Sequence, residues 1–166
     1  MARRDTDETV TQSVIERLID LEPGVRADAP QSRAQSVRQL KAALRRDLEW
    51  LLNTRQIAGG IPEAFPGLEG SLYGYGLPDV SHLSANSIRD RNRLLRLLES
   101  TVAAYEPRLS GIKVNLVESG SNNGRQLRFQ IEALLLMDPA PELVSFDTVL
   151  ELTSGEYQVK GEQSAG

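Results

Sequence analysis

An acidic and a basic side chain flank a proline in the segment Glu106-Pro107-Arg108. The planar guanidinium group of an arginine donates paired hydrogen bonds to carboxylates and carbonyls, which suits recognition of another polypeptide. The proline restricts the backbone of the residue before it, so the two charged groups sit on a stiff corner. The segment predicts a partner-binding site. An internal ion pair between Glu106 and Arg108, tying a helix to a sheet, is the open alternative.

Catalytic chemistry finds little support in the residue types. The chain has no cysteine and one histidine, His82, which excludes thiol nucleophiles, disulfides and histidine clusters around a metal ion. Asp79, Ser81 and His82 are too close in sequence for a hydrolytic triad, which normally gathers side chains from distant parts of a chain. A glycosidase general acid must stay protonated, whereas Arg108 would stabilise the ionised form of Glu106. We predict no catalytic residue and no metal site.

Two further features of the sequence are candidate phosphate-binding sites. The glycines between residues 59 and 76 lack the Lys-Ser/Thr ending of a P-loop and do not follow a strand. A cluster of four arginines consists of Arg89, Arg91, Arg93 and Arg96. Such a cluster suits binding of phosphate, binding of an acidic protein surface, or the solvent-exposed side of a helix. The formal net charge of −4 argues against a nucleic-acid binder. We predict no cofactor, and solvent or a protein partner for the arginines.

The helix that positions the Glu106–Arg108 corner is predicted from apolar residues spaced three, four and seven apart. It covers residues 88–105, with Ser87 and Asp90 as a capping arrangement and Pro107 as its stop. Its predicted buried face consists of Ile88, Leu95, Leu98, Val102 and Tyr105.

Another helix is predicted over residues 36–53, capped by Ser36 and Gln39. Its buried stripe consists of Val37, Leu40, Leu44, Leu48 and Leu51. The opposite side, interpreted as a solvated face, carries Arg38, Lys41, Arg45, Arg46 and Asp47. A shorter helix opens at Ser13 and would dock on its own domain or on a neighbour. Residues 56–84, rich in Gly and Pro, form a long loop whose apolar residues pin it to the core or to a partner.

Period-two alternation predicts strands in the C-terminal half of the chain, at residues 112–116, 127–135, 144–152 and from Tyr157 onward. Asn123-Gly124 predicts a hairpin turn, and Asp138-Pro139 breaks the chain. One face of each strand is apolar, which favours an antiparallel meander packed on one side by helices. The predicted fold class is α+β. An unprotected edge strand of such a meander can accept a strand from another chain.

The bulk composition is that of a soluble globular protein: 166 residues, of which 40% are apolar and 25% charged. The first residues have no apolar core of a signal peptide, and the longest apolar run is far below the ~20 residues of a membrane span. We expect a flexible arm over residues 1–12, a single domain over 13–160, a flexible tail over 161–166 and a cytoplasmic location.

Five stretches of the sequence, taken in order, resemble a known family. They are Trp50-Leu51-Leu52-Asn53-Thr54-Arg55, Tyr75-Gly76-Leu77-Pro78-Asp79-Val80-Ser81, Glu106-Pro107-Arg108-Leu109, Asp138-Pro139 and Phe146-Asp147-Thr148. Over residues 13–160 the chain resembles the TssE family of type VI secretion baseplate subunits, which belongs to the phage-tail baseplate wedge proteins often labelled lysozyme-like.

The resemblance implies a non-enzymatic subunit of a contractile-tail baseplate that assembles in the cytoplasm against the inner membrane. It implies contacts with the wedge subunits TssF and TssG, with TssK in the same complex, and a starting edge for the sheath proteins TssB and TssC. The Glu-Pro-Arg motif that holds baseplate components together in the family corresponds to Glu106, Pro107 and Arg108. We expect the sheath strand to add at the C-terminal strands, at Val149 and Glu151. The alternative function is a peptidoglycan hydrolase, a lysozyme-like muramidase.

Overall fold

The computed structural model of the chain describes residues 14, 18, 32–68, 70–80, 82–84, 87–117 and 126–161. Backbone contacts group the chain into two compact units, residues 1–44 and 45–166. The predicted arm over residues 1–12, the Asn123-Gly124 turn and most of the predicted tail lie outside the described residues. Of the helix predicted from Ser13, only Val14 and Leu18 are described, and both are helical and exposed. The single domain over 13–160 stays a prediction.

Helix α1 (Arg33–Asn53) starts in the first unit and ends in the second. Its cap is one turn earlier than predicted: the Gln35 amide donates to the Ser32 hydroxyl at 3.3 Å, and the Ser32 amide donates to Gln35 Oε1 at 2.9 Å. Ser36 instead donates its hydroxyl to the Arg33 carbonyl inside the helix. The predicted start at Ser36 was wrong because the capping signature occurs twice, four residues apart.

The predicted apolar stripe of α1 is confirmed, since Leu40, Leu44, Leu48 and Leu51 are all buried and Val37 is half-buried. Trp50 lies off this stripe and is 58% exposed. The guanidinium carbon of Arg46 lies 5.0 Å from the centre of the Trp50 ring, within the range of a cation–π contact.

The segment between the two long helices is irregular, as predicted, and contains two short 3₁₀ turns, Pro66–Leu68 and Leu72–Gly74. A parallel bridge joins Arg55 to Leu77 and brings the end of the loop back to the end of α1. Leu77 is buried, whereas Phe65 and Leu72 are exposed. The apolar residues of the loop therefore divide into some that are buried and some that face outward.

Helix α2 (Ile88–Tyr105) has the predicted N-cap, because the Asp90 amide donates to the Ser87 hydroxyl at 3.2 Å. Its buried face is rotated from the predicted one and consists of Leu94, Leu98, Thr101 and Val102. Ile88, predicted to be buried, is 68% exposed. Two neighbouring apolar rows run along this helix, and tertiary packing selects the row that contains Leu94.

Four strands follow: β1 (Leu109–Val117), β2 (Gln126–Leu135), β3 (Glu142–Glu151) and β4 (Glu156–Val159). They form one sheet in the order β1-β2-β3-β4, and all neighbouring pairs are antiparallel. A bulge interrupts β1 between Ser110 and Lys113, at Gly111, whose φ of +62° favours glycine. The predicted meander is confirmed, and the observed ends lie close to the predicted ones.

The buried face of the sheet is mainly apolar and includes Val114, Phe129, Ile131, Ala133, Leu135, Val144, Phe146, Thr148, Leu150, Tyr157 and Val159. Helix α2 packs against β1, and the Glu99 carboxylate accepts a hydrogen bond from the Val114 amide at 2.9 Å. The α+β prediction is confirmed. Among the described helices, none combines the length and apolarity needed to cross a membrane.

Candidate functional site

The corner between α2 and β1 is built by residues 105–109. Glu106 caps the end of α2, and its amide donates to the Val102 carbonyl at 2.9 Å. The next residue, Pro107, cannot continue the helix and is exposed. The chain turns at once into β1, where the Leu109 amide donates to the Glu106 carbonyl at 3.1 Å. Three backbone and side-chain constraints thus fix the direction in which Arg108 leaves the corner.

Glu106 and Arg108 form a bidentate ion pair. Arg108 Nε donates to Glu106 Oε1 and Nη2 donates to Glu106 Oε2, both at 2.6 Å. The Glu106 side chain is only 7% exposed, whereas that of Arg108 is 25% exposed. The geometry of the internal-pair alternative is therefore present in the structure. Whether the same corner also binds a partner stays a prediction.

Asp47, on α1, completes this corner and was missed in the sequence. Its Oδ2 accepts a hydrogen bond from Arg108 Nη2 at 2.7 Å, and its Oδ1 accepts from Arg46 Nη2 at 3.2 Å. Asp47 lies 61 residues before Arg108 and belongs to the side of α1 that was interpreted as solvated. The one signal in the sequence that could have identified Asp47 is that it is an acid among basic residues, next to the apolar stripe of α1. The two acids and two arginines tie the C-terminal half of α1 to the corner.

The charges at the corner change the acidity of their neighbours. The hydrogen bonds that Arg108 donates to Glu106, and then the one that it donates to Asp47, raise the pKa of Arg108 above its usual value despite its partial burial. Burial, followed by the negative charges of Asp47 and Glu106, raises the pKa of Tyr75. The Tyr75 ring meets the Tyr105 ring edge to face, with 5.3 Å between centres. Arg108 therefore stays charged, and Tyr75 keeps its phenolic proton.

The chemistry that this arrangement supports is positioning. Both Glu106 carboxylate oxygens accept charge-assisted hydrogen bonds from Arg108, which fixes the guanidinium and the carboxylate in one plane. The hydrogen bonds that Arg108 makes to described residues use Nε and Nη2 only. No described residue accepts a hydrogen bond from its two Nη1 hydrogens.

Val149 and Glu151 lie on β3, at the end of the sheet away from the corner. Val149 is seven residues, about 23 Å along the strand, from Glu142, where β3 begins. Both have strand neighbours on both sides: Arg128 and Gln158 beside Val149, and Gln126 and Glu156 beside Glu151. The Glu151 carboxylate also accepts from Gln126 Nε2 at 2.8 Å. The structure thus places the two sets of predicted partner-binding residues in separate regions.

The free backbone edge of β3 lies elsewhere. The Lys160 amide donates to the Asp147 carbonyl at 2.7 Å, so the backbone of Asp147 points toward the β4 side. Backbone groups alternate in direction along a strand, so those of Leu143 and Ser145 point the same way. Among the described residues, β4 pairs only with residues 148–151, and residues 143–146 have no strand neighbour on that side. The first half of β3 is an open edge.

The described residues hold no group of histidine, cysteine or acidic side chains suited to a metal ion. His82 is exposed and lies in the loop before α2.

Comparisons with known proteins point to one family. A family model described as "Baseplate wedge protein gp25" matches residues 38–140, more than half of the chain. A solved structure titled "The baseplate complex from the type VI secretion system" contains a chain similar to this one at 18% identity, with a TM-score of 0.46 over 68% of this chain and 94% of that chain. The search of curated proteins gave no match.

Proposed function

The chain belongs to the baseplate wedge protein gp25 family, whose role is structural, and we propose that it serves in the baseplate of a type VI secretion machine. Its neighbours would be the wedge subunits TssF and TssG, with TssK in the same complex, and the sheath proteins TssB and TssC. The assembly would form in the cytoplasm against the inner membrane. The family match carries this proposal, and the order of the motifs in the sequence supports the choice of machine.

The proposed docking element is the exposed part of the corner. Glu106 is too buried to meet a partner directly, so its role would be to hold the Arg108 fork in one orientation. Pro107 is exposed, and so are Ala103 and Ala104 on the last turn of α2. Small side chains let a partner backbone approach the two remaining Nη1 donors of Arg108, which suit a carboxylate or carbonyl.

The matched pair Arg108→Ala and Asp47→Ala tests this docking. Both variants break the tie to α1, but only the first removes the guanidinium group that would bind the partner. In co-purification with TssF and TssG, Arg108→Ala should lose the wedge subunits while Asp47→Ala keeps them. Circular dichroism checks that both remain folded. Equal loss in the two variants would assign the corner a purely internal role.

The sheath would be templated along the open edge of β3. A strand from a sheath subunit would pair with residues 143–146, beside the exposed Leu143 and its cross-strand neighbour Leu134. To reach Val149 and Glu151 it would have to displace β4, which is four residues long. We propose that it does so during sheath nucleation, because a short edge strand is the part of a sheet most easily replaced.

A proline at Ser145 separates edge pairing from the fold. The Ser145 backbone points away from β2, so the substitution removes a donor on the open edge and keeps the β2–β3 ladder. Ser145→Pro should give a folded protein that no longer starts sheaths, whereas Ser145→Ala should behave as the wild type. Fluorescent sheath counts in cells measure the outcome. Normal sheath numbers with Ser145→Pro would rule out pairing along this edge.

The corner geometry gives the muramidase alternative no support, because the Glu106 side chain is buried and both of its oxygens are occupied by hydrogen bonds from Arg108, whereas a general acid must reach its substrate. We propose that the protein has no enzymatic activity. Incubation of the purified protein with peptidoglycan should release no glycan fragments, and release that disappears with Glu106→Gln would overturn this.

A further inference from the structure

A pocket of about 200 Å³ opens between the N-terminal half of α2 and the turn that joins β3 to β4. Its apolar floor includes Leu94, Leu127 and Leu150, of which Leu94 and Leu150 are buried in the core. Its rim is polar and consists of Arg55, Ser84, Asp90, Arg91, Thr153 and Ser154. The pocket is lined by residues on α2 and the sheet that belong neither to the Glu106–Arg108 corner nor to the open edge of β3.

The size of the pocket limits what can occupy it. Sites for small molecules and cofactors usually measure about 300–1,000 Å³, which is more than this pocket offers. An apolar hole of this size with a polar rim fits one bulky side chain of a partner. Interface hot spots are typically of this kind, with an aliphatic or aromatic anchor in a desolvated pocket.

The charges at the rim determine which residues of the partner can flank that side chain. The Asp90 carboxylate accepts a hydrogen bond from the Ser84 amide at 3.1 Å, and Asp79 forms an ion pair with Arg55 at 3.1 Å. Arg91 has no ion pair with any described residue. It belongs to a stretch of α2, residues 87–96, that contains four arginines and one aspartate. Two arginines, Arg55 and Arg91, and one acid, Asp90, line the pocket, so its lining carries a net charge of +1.

We propose that this pocket binds a segment of a partner protein in which a leucine or similar bulky apolar residue is flanked by carboxylates. The apolar side chain would lie on Leu94, Leu127 and Leu150, and a flanking acid would pair with Arg91. This contact is additional to the proposed docking at Arg108 and does not depend on it.

Defined peptides test the proposal on the full chain with ¹³C-labelled leucine methyl groups. The probe is Glu-Glu-Leu-Glu-Glu, and the matched peptides replace the leucine by serine or the acids by lysine. Only the first should shift the methyl signals of Leu94, Leu127 and Leu150, at concentrations up to millimolar. Its affinity should fall as salt is added, because the ion pairs at the rim are screened.

Two variants on the same helix give the matched control. Arg91→Glu should weaken binding of Glu-Glu-Leu-Glu-Glu at least tenfold, whereas Arg93→Glu, which reverses an exposed charge outside the pocket, should change it less than threefold. The proposal is overturned if the acidic leucine peptide leaves the pocket methyls unshifted, or if Arg91→Glu binds it as well as the wild type. It is also overturned if sodium decanoate shifts these methyls and the peptide does not, which would assign the pocket to a small amphiphile.

Discussion

Removal of the Arg108 guanidinium should destabilise the protein far more than removal of its partner's charge. Arg108→Met keeps most of the stem but leaves the Glu106 carboxylate, 7% exposed, without its fork. Breaking a buried ion pair from one side costs about 3–5 kcal/mol, because the remaining charge is buried and uncompensated. Glu106→Gln keeps the shape of the side chain and should lower the free energy of unfolding by only about 1–3 kcal/mol, because Arg108 is partly exposed and stays paired with Asp47.

The double variant identifies the coupling between the two groups. Because Arg108→Met with Glu106→Gln leaves no buried charge, its loss should be smaller than the sum of the single losses, by about 1–3 kcal/mol. Urea unfolding of the four proteins measures these free energies without adding the salt that would screen the pair. Asp47→Asn is the control and should cost about 1 kcal/mol or less, because that pair is more exposed. Additive losses, or a loss below about 1 kcal/mol for Arg108→Met, would refute the buried-pair reasoning.

Three further predictions concern the rest of the fold. Burial raises the pKa of Tyr157 from 10.0 to about 12, so its contribution to stability is complete below pH 10 and about 3 kcal/mol should be lost as the pH rises to 12. Its hydroxyl has no hydrogen-bond partner among the described residues, so Tyr157→Phe should unfold in urea at least as late as the wild type at pH 7 and escape that alkaline loss. Asn53→Ala should lower the free energy of unfolding by about 1–3 kcal/mol and speed amide exchange at Tyr157. The reason is that the Asn53 side chain makes two hydrogen bonds with the Tyr157 backbone, at 2.8 and 2.9 Å. Gly76→Ala should lower the melting temperature strongly, because φ is +103° and a Cβ atom would lie 2.4 Å from the Thr54 carbonyl oxygen, whereas Gly67→Ala, which meets open space, should change little.

The strands were predictable because each has one apolar and one polar face, and alternation of Val144, Phe146 and Thr148 with polar neighbours leaves one choice of face. The buried faces of the helices were less predictable. On α2, both Ile88 and Leu94 lie in rows with helical spacing, and packing in the folded chain, which the spacing does not reveal, decides that Leu94 is buried. On α1, the repeated capping signature at Ser32 and Ser36 fits two starts, and the sequence contains nothing to separate them.

The candidate site was predictable only in its local part. The corner at Glu106, Pro107 and Arg108 follows from three adjacent residues and the stop that proline imposes on a helix. Asp47 could not be found in the same way, because nothing in a charged helix face says which side chain meets a residue 61 positions later. The pocket beside Arg91 has the same origin, since it joins a loop, a helix and a hairpin turn that are far apart in the chain.

The internal pair and the proposed docking at Arg108 are compatible because a guanidinium group has five N–H donors. Three of them are engaged by Glu106 and Asp47, and the two on Nη1 are not among the hydrogen bonds to described residues. A buried ion pair is weak support for stability, because the cost of removing both charges from water offsets most of their attraction. What the pair supplies is direction: the two oxygens of the Glu106 carboxylate fix the plane of the Arg108 guanidinium, which is partly exposed. A fork held in this way loses little conformational entropy when a partner binds, which is the property that a subunit of a precisely ordered assembly requires.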